Sequence, residues 1–308
     1  MNKYYESENL KIYYIEDTKY LINLDNLDNN CFIFLQFPYN IHNFIENFNI
    51  DNEFPDFFNS KNNVIYCSPD EFIHNKIIEK GKKSIIFNHN CLLDYNLFSI
   101  GNEYRIYNAV INSRPFTWKR VYLAKSLDNL VYIKGADWTI NNPGWENKFT
   151  WDGYKNMNLT LKSEIGVNEV SQIYQQSMVG LILSGNTGDN QQGPYEGACY
   201  SSSEYLLSGL PVVSTPSGGG RDFWFDNYNS IICEPIEESV KECVDILINR
   251  LNNNEIDREL IRNNQIEKMN NIRKNFIDKT EELFKLYNIN IDAYKYFNDN
   301  YFHKFLKY

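Results

Sequence analysis

The sequence predicts an α/β protein built on two mainly parallel sheets, and three observations predict it. Short apolar runs of strand length alternate with helical patterns, the signature of strands joined by crossover helices. The alternation runs through the chain twice, with a seam near residues 103–107. One run, Val179-Gly-Leu-Ile-Leu183, is apolar throughout, as a strand buried on both faces is.

The elements follow in order. Residues 10–16 and 31–36 are apolar runs of strand length, and a weak helical pattern covers 41–49. Residues 63–68 form the next strand. Pro69-Asp-Glu then places proline and acids in the first turn of a helix that runs to Gly81. Residues 84–87 are a strand. In the second half, 107–111 is a strand, 114–120 a loop, 120–127 a short helix and 130–133 a strand ending at Gly135. Residues 136–158 hold Trp, Asn, Gly and Pro without a period and read as a loop or insertion. A helix spans 167–177, with Val170, Ile173 and Tyr174 at helical spacing. The strand 179–183, a loop over 185–195 and a helix from about 197, stopped at Gly209, come next. Strands at 211–215 and 231–233 follow, and from 236 the pattern is helical to the end. No repeat of solenoid length is present.

Composition bounds the partners. The 308 residues are 43% hydrophobic and 16% aromatic, which supplies a core and excludes a disordered chain. The net charge of −10 argues against a nucleic-acid partner and against a broad basic patch on anionic lipid. Transient membrane contact stays open. The six cysteines, Cys31, Cys67, Cys91, Cys199, Cys233 and Cys243, form no C-x-x-C pair and read as reduced thiols. The first residues hold no apolar core of a secretory signal, and no apolar run nears the ~20 residues of a membrane span. The expected location is the cytoplasm.

The most informative stretch is Glu196-Gly-Ala-Cys-Tyr-Ser-Ser-Ser-Glu204, followed by Ser208-Gly-Leu-Pro-Val-Val-Ser-Thr215 and Gly218-Gly-Gly220. On one continuous helix, eight positions turn through about 800° and rise about 12 Å, so Glu196 and Glu204 would share a face. That distance approximates the span from the sugar to the ribose of a nucleotide-sugar. Its diphosphate would lie near the helix start, where free N–H groups suit an anion. Upstream, Arg114-Pro-Phe-Thr-Trp-Lys119 follows the strand ending at Ile111, and its two cations are of the kind that neutralise a diphosphate.

In order and spacing these segments resemble the retaining glycosyltransferases of the GT-B fold, in particular glycosyltransferase family 4 (glycosyl transferases group 1). The resemblance covers roughly residues 60–250. It implies two Rossmann-like domains facing across a cleft, the first one short. These would be an acceptor-side domain over 1–105 and a nucleotide-sugar donor domain over 106–285. A helix over 286–308 would cross back to the first. It implies transfer of a hexose or related sugar from a nucleoside-diphosphate sugar to a glycan, lipid-linked sugar or protein. Attack would come from the front face, with the leaving diphosphate taking the acceptor's proton.

By the same resemblance, Arg114 and Lys119 hold the diphosphate in place of a metal, and no cofactor beyond the donor substrate is required. Glu204 accepts hydrogen bonds from the ribose, Glu196 faces the donor sugar, and Gly197 and Ala198 offer backbone N–H groups. The chain departs from the family in lacking a Gly-Gly loop near its first strand. His42, His74 and His89 are candidates for a histidine near the sugar, and the Trp-rich stretch 138–151 for an acceptor platform. Two other readings keep the scaffold: a sugar-nucleotide epimerase or phosphorylase, and a nucleotide-sugar-binding protein without catalysis.

Overall fold

A computed structural model describes residues 2–15, 30–36, 63–101, 104–135, 151–185, 199–216 and 221–298. Contacts divide the chain into two compact units. One is Met1–Leu93 with Met269–Lys307, the other Asp94–Lys268. These limits differ from the 1–105, 106–285 and 286–308 expected from the sequence.

The first unit holds a five-stranded sheet in sequential order: β1 (Asn2–Glu6), β2 (Lys11–Ile15), β3 (Cys31–Gln36), β4 (Val64–Ser68) and β5 (Lys83–Ile86). β2 to β5 pair in parallel, as the alternation predicts. β1 does not follow that prediction: it lies antiparallel on β2 and is joined to it by a short turn in which Ser7 and Leu10 bond each other. Its mixed polar sequence gives no strand signal, and pairing with β2 supplies what local propensity lacks. Helix α1 (Glu71–Glu79) starts where Asp70 accepts a hydrogen bond from the Ile73 amide at 2.9 Å, an N-cap. It stops before Gly81, whose φ of 72° only glycine adopts at no cost.

An aromatic cluster forms the core of this unit. The Phe276 ring lies 4.3 Å from Phe34, 5.2 Å from Tyr4, 5.3 Å from Phe87 and 5.4 Å from Phe297 between centroids. Such tilted and edge-on pairs add to the area they bury.

The second unit holds six strands, all parallel: β6 (Tyr107–Ser113), β7 (Leu130–Lys134), β8 (Leu159–Ser163), β9 (Ser177–Ile182), β10 (Val212–Ser214) and β11 (Ser230–Ile232). Their spatial order is β11-β10-β9-β6-β7-β8. The chain builds outward from β6 through β7 to β8, then returns to the other side of β6 with β9. β8 lies between the 136–158 loop and the 167–177 helix, a stretch to which the sequence assigns no element. It is an edge strand with a half-exposed Leu-Thr-Leu-Lys-Ser sequence, and edge strands lose the apolar signal of central ones.

Helices α2 (Val167–Gln175), α3 (Tyr200–Leu207), α4 (Glu237–Asn252), α5 (Arg258–Leu286) and α6 (Ala293–Asn298) complete the described elements. The short helix expected over 120–127 is a 3-10 turn at Val121–Ala124. The helical pattern after 236 is interrupted near Asn254, whose φ is 58°. The six cysteines are free, five of them buried. Among the described residues no helix is long and apolar enough to cross a membrane.

Candidate functional site

The strand order of the second sheet reverses between β6 and β9. In open α/β sheets the crevice beyond the carboxyl ends of two such strands is where ligands bind.

β6 ends at Ser113 and passes into Arg114-Pro-Phe-Thr-Trp-Lys-Arg120. This segment is held as a shelf. Thr117–Lys119 is a 3-10 turn, Phe116 stacks on Trp118 at 4.5 Å, and the Trp151 amide donates to the Pro115 carbonyl at 2.7 Å. Arg120 closes the turn at φ 48°, in the left-handed region, which a side chain adopts only when other bonds fix it. Those bonds are visible. Arg120 is buried, with Nε donating to the Leu183 carbonyl at 2.6 Å and a terminal nitrogen donating to Thr215 Oγ1 at 2.7 Å.

Leu183 and Ser184 follow β9, and Thr215 follows β10. Arg221, fully buried, donates to the Ser184 carbonyl at 2.9 Å and to the Thr215 carbonyl. Arg120 thus ties the loop after β6 to the carboxyl ends of β9 and β10, and Arg221 ties those two ends to each other. The arrangement leaves no room at Gly185, where a Cβ would stand 2.4 Å from an Arg120 nitrogen and 2.8 Å from the Pro216 carbonyl oxygen.

Lys119, partly accessible, lies among these charges. Loss of water pushes its ammonium down to about 8, the nearby Cys199 thiol pulls it up, and Arg221 and Arg114 push it down further. Burial likewise lowers Arg120 and Arg221, and the Arg221 charge lowers Arg120 further. Asp222 stands 3.7 Å from Arg221 and is half exposed. Arg114, Lys119, Arg120 and Arg221 therefore concentrate positive charge at one edge of a chain whose net charge is −10.

Glu204 lies on α3, buried, and accepts the Tyr174 hydroxyl proton at 2.7 Å. Tyr174 in turn accepts from Asn112 Nδ2 at 2.6 Å, and the Asn112 amide donates to the Tyr205 hydroxyl at 2.7 Å. Asn112 belongs to β6, two residues before Arg114, so α3 is bonded to the strand that carries the cation shelf. Gly180 on β9 makes this possible, since a Cβ there would meet the Tyr205 ring at 2.4 Å. Burial, and then the Glu204 charge, raise the Tyr174 phenol far above its ordinary range, so it stays a donor.

One geometric expectation is corrected. Cys199 has extended backbone, φ −63° and ψ 146°, and α3 begins only at Tyr200, with the Cys199 carbonyl accepting from the Ser202 amide and hydroxyl. Residues 196 and 204 therefore do not share one regular helix, and the eight-residue spacing is not a helical ruler. Serines near the start compete for backbone groups and favour a cap over continued helix. Glu196, Gly197, Ala198 and Gly218–Gly220 lie outside the described residues, as do His42 and the 138–150 part of the Trp-rich stretch.

The remaining candidates belong to other surroundings. His74 Nδ1 is 3.0 Å from Ser84 Oγ in the first unit, and His89 is buried there in the turn His89–Leu92. Trp151 packs near Tyr122 and Tyr154, at 5.8 and 6.3 Å. Among the described residues no group of three His, Cys, Asp or Glu side chains is placed to hold a metal ion. Arg120 is not singled out by the sequence, and Arg221 enters only within Gly218-Gly-Gly-Arg-Asp, readable as a tight turn or as a lining of the cleft. The signals available were Arg120 beside Lys119 and Arg221 directly after the glycine run.

No protein-family model matches the chain, and no curated protein sequence matches it. Solved structures do. TarM is 18% identical with a TM-score of 0.58, over 89% of this chain and 54% of TarM. Sucrose-phosphate synthase from Thermosynechococcus elongatus is 12% identical with a TM-score of 0.54, over 90% of this chain and 73% of the synthase. Anabaena HepE, solved in complex with UDP, is 12% identical with a TM-score of 0.51, over 82% and 72%. The chain spans about half the length of TarM. These likenesses show the fold: the chain has the α/β GT-B fold of glycosyltransferases.

Proposed function

We propose that this chain is a glycosyltransferase of the GT-B group 1 kind that moves a sugar from a nucleoside-diphosphate sugar to a glycan, glycolipid or protein acceptor in the cytoplasm. The observation that carries this reading is the group Arg114, Lys119, Arg120 and Arg221 at the carboxyl ends of β6, β9 and β10, where the strand order reverses. Fixed cations at such a crevice favour a diphosphate and the charge that grows on it as the glycosidic bond breaks. Arg114 and Lys119 take the diphosphate, while the buried Arg120 and Arg221 keep the shelf in place. Because these side chains supply the positive charge, no metal is needed. The UDP bound by HepE supports a nucleoside diphosphate as the ligand class.

Within this reading Glu204 serves the ribose, exchanging or sharing its bond to Tyr174, and Glu196, Gly197 and Ala198 meet the sugar. Transfer retains the anomeric configuration, with the leaving diphosphate as base. The second unit is the donor domain and the first the acceptor side.

Calorimetry with UDP tests the reading. A hydrogen bond to a charged group is worth about 1.5–3 kcal/mol, so Lys119→Gln and Arg114→Gln should each weaken binding by about ten- to a hundredfold. Wild-type affinity in both variants would end it. Product NMR with a UDP-sugar and an acceptor panel then reads out transfer and anomeric configuration.

A further inference from the structure

The second sheet has another charged edge, at the amino ends of the strands. There a groove of about 1100 Å³ is lined by Arg105, just before β6, by Met178 at the start of β9, and by Arg258 at the start of α5. It lies at the opposite strand ends from the shelf of Arg114 and Lys119. It belongs wholly to the second unit.

Its chemistry is incomplete as it stands. Arg258 donates through one terminal nitrogen to the Ser177 and Met178 carbonyls, both at 3.1 Å, which fixes its guanidinium at the foot of β9. The other terminal nitrogen is buried without a hydrogen-bond partner, and so is one terminal nitrogen of Arg105. Burial disfavours the charge on both, and the Arg105 charge disfavours that on Arg258 further. Among the described residues no carboxylate forms an ion pair with either. The acid on the groove, Asp257, accepts the Glu259 amide proton at 2.8 Å instead, capping α5.

Two like charges brought together, with shielded donors and no counter-ion, carry a cost that an oxyanion removes. Arginine is suited to it, because its fork of donors matches a phosphate bidentately. The groove is far larger than a phosphate ion, and part of its lining is apolar, including Met178, Ile248 and Leu251.

We propose that this groove is a second ligand site, taking a phosphate monoester with an apolar body. It is independent of the nucleotide-sugar reading: the two use different strand ends and different arginines.

The test is calorimetry of the full chain with phenyl phosphate and with inorganic phosphate. Phenyl phosphate should bind at least tenfold more tightly than inorganic phosphate, since only it covers the apolar lining. Arg105→Gln should lose tenfold or more of that affinity. It should also melt at or above the wild-type temperature, because it removes a like charge and breaks no hydrogen bond. Arg105→Lys should keep part of the affinity, and Lys119→Gln should bind phenyl phosphate as the wild type does. Vesicles of phosphatidic acid present the same group on a membrane; co-sedimentation that Arg105→Gln abolishes supports the site with a lipid as its source. Undiminished phenyl phosphate binding in Arg105→Gln overturns the proposal. So does binding that Lys119→Gln abolishes, since the ligand would then sit on the other shelf.

Discussion

The two sheets use the same parallel strand-to-strand pairing and differ in order. In the first, β2 to β5 succeed one another in a single direction, and the described strand ends close on themselves. Gln36 at the end of β3 accepts the Tyr14 hydroxyl at 2.9 Å, and Ser68 at the end of β4 meets Ser84 at 2.8 Å. In the second, the order reverses between β6 and β9, and the strand ends gather four cations. Composition does not explain the contrast, since aromatic and apolar residues fill both cores. The direction in which the chain adds its strands does: a reversal parts two successive loops and leaves a crevice between them.

The comparison breaks most readily at the aromatic centre of the first unit. Phe276→Ala should destabilise that unit by about 3–5 kcal/mol, the usual cost of truncating a buried phenylalanine. Denaturant unfolding would read it, and UDP affinity measured below the transition should hold if the cation shelf belongs to the second sheet alone. The next test acts on the second sheet. Gly180→Ala drives a methyl into the Tyr205 ring and should cost about 1–3 kcal/mol, as overpacking does. Because Tyr205 is bonded to Asn112 two residues before Arg114, UDP binding should weaken along with thermal stability.

The smallest effect is on pH dependence. With Lys119 held at about 8, the protein loses this ammonium as pH rises through that value, and on the proposed function a bound diphosphate would hold the proton on. UDP affinity should therefore fall by up to about tenfold between pH 8 and 9, each pKa unit being worth 1.36 kcal/mol. The stability of the unliganded protein moves the other way. The unfolded chain keeps this proton up to the ordinary lysine value, so the folded state gains as pH rises from about 8 towards 10.5. Lys119→Arg should flatten both profiles. A UDP affinity that is level from pH 7 to 9 in the wild type would separate Lys119 from the diphosphate.

Most central strands were legible because burial on both faces writes a continuous apolar run, as at Val179–Leu183, and α1 was legible from its proline, acids and glycine stop. β1 and β8 were not, because neither Asn-Lys-Tyr-Tyr-Glu nor Leu-Thr-Leu-Lys-Ser is a continuous apolar run, and each is fixed by pairing with its neighbour. Arg114, Lys119 and Glu204 stand out in the sequence because their motifs resemble those of glycosyltransferase family 4. Arg120 and Arg221 do not, because their partners Leu183, Ser184 and Thr215 lie far along the chain, and no local pattern encodes such pairings. The break at Cys199 was hidden for a related reason: Gly-Ala-Cys-Tyr-Ser is compatible with helix, and the capping geometry that starts α3 late is a matter of dihedral angles.

The wholly parallel second sheet also governs how the molecule comes into being. None of its pairings can be nucleated by a tight hairpin; Tyr107 pairs with Ser177 although two strands lie between them in sequence. Such long loops must close before their contacts form, so refolding is expected to be slow, with the apolar central strands exposed to other copies meanwhile. Recovery after dilution from denaturant should therefore fall as protein concentration rises.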